Sequence, residues 1–335
     1  MRRAFLIILV LGIIAALVVR EVRLHRKAPL ERAYVGAQGV TVWNSTAEVR
    51  AAVASLSYGE PVQIFQRDGD RVLIRTNTGV RGWVASDLLL STALWRAGSL
   101  LNEDTESMSV QARGHTRARS NLHIRPGRQW EVISSAPADT PVEMFARQAT
   151  ANPQRQSPQD PVSSSPNSED WWLVRAHVKN EAQISGWVLG RFVSLDLPEP
   201  LPEYQSSEHI SIVAWFEINH AMDSTGTVKP EYLVVGTRDG EGRPCDFTLF
   251  RVYTWSPRRH RYDTAFIERG LCGSLPVRTT QAVRPGDEAH FEFNNIGVKG
   301  RENRQYKMTL TTVRRINSGM GNVRKRIKRP GKAKE

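Results

Sequence analysis

Gly-Trp-Val occurs twice in this chain, at 82–84 and again at 186–188. Each copy ends a run of short alternating segments and leads into a polar step followed by Leu, Phe or Val: GVRGWVASDLLL over 79–90, QISGWVLGRFVSL over 183–195. No other feature constrains the fold as much. A repeat at fixed landmarks means one supersecondary unit built twice. Apolar residues at a period of two mean strands.

Other landmarks recur in the same order. Pro61-Val62 with Phe65 answers to Pro141-Val142 with Phe145, 80 residues on. Leu73 and Arg75 answer to Leu173 and Arg175 at a spacing of 100, and Gly82 answers to Gly186 at 104. In the first strand, Val40 and Val42 are matched to Leu122 and Ile124, which sets Trp43 opposite Arg125. Arg71 falls opposite Trp171. The slip of 20 is assigned to RQATANPQRQSPQDPVSSSPNSED over 147–170, which is Pro, Gln and Ser with almost nothing apolar. Such a stretch predicts a disordered, solvated insertion at a hairpin tip. In the first copy that tip is Arg67-Asp68-Gly69-Asp70, and Asp-Gly between alternating runs is a hairpin signal.

The expected order is therefore a unit over 31–91, a linker or short helix over 92–115, a second unit over 116–197, and a Pro-rich spacer from Pro198. Several short strands with no helical period predict a small β-barrel for each unit. A third unit over 208–316 keeps the period of two. HISIVAWFEI sets Ile210, Ile212, Ala214, Phe216 and Ile218 on one face and Val213 and Trp215 on the other. LFRVYTWSPRRHRYDTAFIE predicts a hairpin turning through Ser256-Pro257-Arg258-Arg259. An antiparallel β-sandwich-like domain is expected here.

Net charge, +12 for 335 residues, would point to nucleic acid if it were spread evenly. It is not. Residues 1–27 carry six basic groups against Glu21, and residues 314–335 carry nine against Glu335, so 28–313 sum to −1. A phosphate-neutralising groove is not expected in the folded region. The basic tail, 317–335, predicts disorder and contact with anionic polymers or lipid headgroups. At the other end Ala4–Val19 is an uncharged apolar run. As a helix it spans about 24 Å at about 1.5 Å per residue, which flanking arginines extend by snorkelling. The run ends Leu-Val-Val-Arg, a poor cleavage site, so residues 1–27 read as a transmembrane anchor more readily than as a cleaved signal. The flanking charges favour a cytoplasmic body, whereas the rest of the reading favours an extracytoplasmic, periplasmic one. Both stay open.

The second copy resembles the bacterial SH3-like domain family. Leu122-His123-Ile124-Arg125-Pro126-Gly127 matches its first-strand motif, Trp171-Trp172-Leu173-Val174 its third element, and Gly186-Trp187-Val188 its closing strand. The first copy departs from that pattern, with Trp43 in place of an Arg and Arg71 in place of a Trp, and so resembles a spacer as much as a binder. The resemblance spans about 140 residues and implies binding, with peptidoglycan of the cell wall, a peptide or another envelope protein as the partner class.

Chemistry-bearing residues are few. Trp83 and Trp187 are expected in the core. Trp43, Trp130, Trp171 and Trp172 are the ligand-binding candidates, because amphipathic rings at loop edges lie well against a sugar or peptide. Adjacent Trp171 and Trp172 on one strand must point to opposite faces, so one is expected to be exposed. Cys245 and Cys272 are the only cysteines; they read either as a disulfide of an exported protein or as two inert thiols. SH3-like modules often accompany cell-wall peptidases with a Cys nucleophile, but Cys245 leads into a strand rather than a helix whose N-terminus would activate a thiol. The eight histidines are scattered without metal-ligand spacing, and no phosphate loop is present. The expectation is a non-enzymatic protein without metal or cofactor.

Overall fold

The computed structural model describes residues 29–152, 168–178, 182–284, 287–298 and 300–316. The predicted anchor over 4–19 and the tail over 317–335 lie outside the described residues. Among the described residues no helix is long and apolar enough to cross a membrane. The chain is mostly β, in three seven-stranded antiparallel sheets.

The first sheet comprises β1 (Glu31–Val35), β2 (Val40–Trp43), β3 (Ala52–Leu56), β4 (Pro61–Asp68), β5 (Arg71–Thr76), β6 (Arg81–Ala85) and β7 (Leu89–Ser91). The second comprises β8 (Ala112–Thr116), β9 (Ser120–His123), β10 (Val132–Ala136), β11 (Pro141–Ala151), β12 (Ser168–Ala176), β13 (Ile184–Leu189) and β14 (Val193–Leu195). The strand orders, β3-β2-β6-β5-β4-β1-β7 and β10-β9-β13-β12-β11-β8-β14, are the same order written twice. Even the irregularities repeat. A bulge at Phe65 in β4 recurs at Phe145 in β11, and a single 3₁₀ turn precedes the last strand in each, at Ser86–Leu88 and Gly190–Phe192. Inward residues from β1 to β6 meet in one cluster around Val35, Val42, Ile74 and Val84, so the sheet is curled over its own core.

Gly-Trp-Val now has a physical explanation. A Cβ on Gly82 would stand 2.5 Å from Val42 Cγ1 and 2.6 Å from the Trp43 carbonyl oxygen; one on Gly186 would stand 2.7 Å from Leu122 Cβ. Only glycine lets β6 approach β2, and β13 approach β9, so closely. Val84 and Val188, two residues on, face the same interior and are fully buried. The intervening tryptophans therefore face outward and are half-buried. The core role expected for Trp83 and Trp187 belongs to the valines.

Register corrects the first-strand match. Val40 pairs Leu56 and Val42 pairs Ala54, while Ser120 pairs Ala136 and Leu122 pairs Ser134. Val42 thus answers to Leu122, and Trp43 answers to His123 rather than Arg125. Trp43 bridges Trp83, and His123 bridges Trp187, at equivalent sites.

The insertion is also shorter than expected. β11 continues to Ala151 and β12 begins at Ser168, so 147–151 and 168–170 are paired strand; residues 153–167 lie outside the described residues. The segment 92–115 contains α1 (Thr92–Glu106), capped by the Ser91 hydroxyl accepting from the Leu94 N–H, and most of β8. Trp95 of α1 stacks on Tyr34 at 5.0 Å and packs against Tyr58 and Gly59 of the first module. Burial there pushes the Tyr58 hydroxyl up to about 12. On α1's second-module side, Asn102 accepts from the Ser185 N–H, and Thr105 hydrogen-bonds Ser185 and Arg175. One helix therefore clamps both modules.

The third sheet runs in simple chain order: β15 (Ser211–Met222), β16 (Val228–Thr237), β17 (Phe247–Ser256), β18 (Arg261–Thr280), β19 (Glu288–Gly297), β20 (Gly300–Thr309) and β21 (Thr312–Ile316). It is one curled meander, not two stacked sheets. Phe247, Phe250, Phe291, Phe293 and Tyr306 fill its concave side. A second apolar patch, Ile212, Tyr232, Val234 and Tyr253, lies under α2 (Leu201–Glu208), which buries Leu201 there. A bulge between Ile212 and Ala214 breaks the alternation expected for β15. Val213 and Ala214 both join the aromatic core, while Ile212 and Trp215 turn to the patch under α2.

Candidate functional site

Each repeated module has a groove built from the same five positions. In the first it is lined by Thr41, Trp43, Arg71, Ala85 and Leu88, together with Arg50 and Asp70, and has a volume of about 340 Å³. In the second the equivalent residues are Asn121, His123, Trp171, Leu189 and Phe192, with Arg128, around about 390 Å³. Strand pairing explains the match. β2 and β9 supply one wall, β5 and β12 the other, and the 3₁₀ turn before the last strand supplies Leu88 or Phe192. Arg119, in the loop before β9, lines both grooves. Ser135 of the second module also lines the first groove.

The aromatic residue changes walls between the copies. In the first groove Trp43 stands on β2 facing Arg71 on β5. In the second His123 stands on β9 and Trp171 on β12, edge to face at 5.1 Å. Each groove thus keeps one indole beside basic groups. The Arg50 guanidinium lies 4.5 Å from the Trp43 ring centroid, a cation–π contact that pre-positions both. Arg50, Arg71 and Arg119 form no ion pair among the described residues, against the single carboxylate of Asp70 in that groove. In the second groove Arg128 makes a bidentate pair with Glu169, 2.8 and 2.9 Å, and Glu169 also accepts from Arg191 and Asn152.

The four candidate tryptophans separate. Trp43 is half-exposed in its groove. Trp130 is half-exposed under the Arg125 guanidinium at 4.6 Å, and its carbonyl lies 2.7 Å from His123 Nδ1, but it does not line the groove. Trp171 and Trp172 are both buried, at 2% and 7% exposure. The expected exposed member of that pair does not exist, because both faces of β12 are covered. Trp172 faces the module's core, and Trp171 forms part of the second groove's wall under His123. Trp171 keeps an indole N–H without an acceptor. Arg50, Arg119 and His123 were not candidates in the sequence. Carrying the constant spacing of 80 back from Pro61 and Pro141 to the first strand would have brought His123 opposite Trp43.

The extended β11–β12 hairpin fixes the second module to the third sheet. Arg147, almost wholly buried, donates to Asp170 beside it and to Asp246 at 3.0 Å across the junction. Asp170 also accepts from the Gly242 N–H and from Arg243. Burial raises the Asp246 carboxyl even though Arg147 and Arg243 oppose the shift. Burial, with Arg147 alongside, lowers Arg243. Next to this cluster Cys245 and Cys272 are joined in a disulfide, so neither carries a free thiol. Among the described residues no group of His, Cys, Asp and Glu side chains has the arrangement of a metal centre. Two larger grooves measure about 570 Å³ each, one along the third sheet beside Phe216, His290 and Tyr306, the other between β14, α2 and the start of β15. Neither has a counterpart in the repeat.

No protein-family model matches the chain, and no curated protein matches it. Among solved structures it is similar to an NlpC/P60 family protein from Bacillus cereus ATCC 10987, at 11% identity and a TM-score of 0.21. That match covers 55% of this chain and 64% of the other, less than two thirds of its length. NlpC2 from Trichomonas vaginalis is similar at 8% identity and a TM-score of 0.17, covering 86% of this chain and 98% of that one. Likeness at this level carries no functional argument.

Proposed function

We propose that this chain is a cell-envelope binding protein acting by recognition rather than catalysis. In this reading its two repeated modules are SH3-like, residues 4–19 hold it in the membrane, and the body lies outside the cytoplasm. The ligand class is cell-wall peptidoglycan or its peptide. The observation that carries the reading is the pair of equivalent grooves meeting at Arg119, each with an indole beside basic groups. Sugar rings stack on indole faces, and peptide stems carry carboxylates for arginine. The departure of the first copy from the family pattern does not make it a spacer in this reading, since its groove retains Trp43, Arg50 and Arg71. The Cys245–Cys272 disulfide supports an oxidising compartment.

The test is co-sedimentation of the full-length chain, in mild detergent, with isolated peptidoglycan sacculi. We expect pelleting with sacculi and its loss in the Trp43→Ala/His123→Ala double variant. No pelleting of the parent protein would rule out the wall reading. For location, an impermeant thiol reagent on intact spheroplasts should label Cys245 and Cys272 only after reduction; labelling that requires lysis would place the body inside. A second reading, a scaffold that docks another protein, draws on the larger groove beside Phe216 and Tyr306. It predicts a co-purifying partner lost on Phe216→Glu, with sacculus binding absent.

A further inference from the structure

We infer that the two grooves form a single track for one linear, carboxylate-bearing wall polymer, and that Arg119 is the residue that joins them. This inference rests on the wall-binding reading and specifies its ligand chemistry. Three observations carry it. First, Arg119 is exposed, forms no ion pair or side-chain hydrogen bond among the described residues, and lines both grooves. A ligand segment touching its guanidinium is within reach of either module. Second, the track is more basic than acidic, with Asp70 the one carboxylate that lines either groove. Arg50, Arg71 and Arg119 are unpaired around the first groove, and Asn121 lines the second. The buried Trp171 indole N–H beside Asn121 has no acceptor. The one carboxylate on the wall of the second module near Arg128, Glu169, is saturated by Arg128, Arg191 and Asn152. A ligand that fits must therefore supply acceptors, and charged ones gain most from guanidinium groups. Third, the modules do not need to find a common orientation on binding. α1 is fastened to the first by Trp95 and to the second by Asn102 and Thr105, so the grooves are already aligned and a bridging ligand loses little freedom beyond its own.

Arg119 is placed here as a ligand-contacting residue. Its removal should cut the track in two. A ligand bridging both halves then loses a charge-assisted contact and the linkage between half-sites.

The experiment uses the full-length chain in detergent with two probes. One is isolated sacculi, native or with their carboxylates amidated by carbodiimide coupling to methylamine. The other is fluorescein-labelled decaglutamate, followed by anisotropy. We expect binding to native sacculi to weaken about tenfold or more on amidation, and by a similar factor in Arg119→Ala, the size of one charge-assisted contact. Arg119→Lys should restore part of it. Arg117→Ala, on the same loop but outside both grooves, should change nothing. Arg71→Ala and His123→Ala, one in each groove, should be non-additive in the parent and additive once Arg119 is gone. Near-ultraviolet circular dichroism of each variant, unchanged from the parent, excludes misfolding as the cause. Sacculus binding that is indifferent both to amidation and to Arg119→Ala overturns the inference and leaves the wall reading standing. Decaglutamate binding lost in Arg119→Ala, with no binding to sacculi, supports the carboxylate track and overturns the wall as its source. Binding to neither probe overturns both.

Discussion

Glu231 of β16 is 2% exposed and accepts a hydrogen bond from Asn219 Nδ2 at 2.9 Å. Burial raises its carboxyl to about 7, against the smaller opposing effects of the Trp255 backbone N–H and Asn219. The folded state therefore keeps this proton at pH values where the unfolded chain has lost it. Stability from this group is present in full below about pH 4.5 and declines as pH rises to about 7, above which the cost is constant. By linkage the difference is at most about 3 kcal/mol. Urea melts at pH 5 and pH 8 should show the protein more stable at pH 5 in this respect, and Glu231→Gln should flatten the difference. A variant as pH-sensitive as the parent would rule Glu231 out as the source. At the same scale, the groove residues show why single positions were hard to read in the sequence. Trp43 was visible as an aromatic at a strand end. His123 was not, because its partnership with Trp171 depends on which strand lies beside which.

At the scale of elements, the β11–β12 hairpin carries the most information. Its Pro- and Ser-rich composition read as solvated loop, and the strands nevertheless continue through Ala151 and from Ser168. The reason is tertiary. Arg147 and Asp170 are polar residues that become strand because the ion-pair cluster with Arg243 and Asp246 satisfies them in the buried junction, while Glu169 beside them is held by Arg128, Arg191 and Asn152. Removing the cation leaves two buried carboxylates facing one another with Arg243 alone. Arg147→Met should destabilise the junction by about 3–5 kcal/mol, the usual cost of breaking a buried ion pair from one side. Asp170→Asn/Asp246→Asn in that background should recover part of the loss. A melt shifted by less than about 1 kcal/mol would show that the cluster does not hold the units together. The α1 helix makes the same point from the other direction. Its existence was foreseen as one option for 92–115. Its function as a clamp was not, since Trp95, Asn102 and Thr105 address two different modules.

For the whole molecule, the main cores do not follow the three units one to one, and a smaller patch lies under α2. The first module has its own cluster, while the second module and the third sheet share one that runs from Leu122 and Val174 to Phe250 and Tyr306. Calorimetry should accordingly resolve two transitions rather than three. The Cys245–Cys272 bridge closes a loop with a sequence separation of 27. Reducing it should lower the shared transition by about 3–4 kcal/mol, because the unfolded chain regains the entropy of that loop. The first-module transition should not move. Three separable transitions, or a first module that responds to reductant, would contradict this division.

The amino-acid sequence by itself determined the duplicated β unit, its landmarks and the strand character of the third region. These depend on local alternation, on turn residues, and on glycines that no other residue can replace at a strand crossing. It did not determine the outward direction of Trp83 and Trp187, the burial of both Trp171 and Trp172, or the single-sheet form of the third unit. Each of those depends on what packs against a face, and a period of two states only that faces alternate, not which of them is covered. The lining of both grooves by one residue belongs to the same category. Arg119 is an ordinary loop residue in the sequence, and only the docking of two modules on one helix brings both grooves to it.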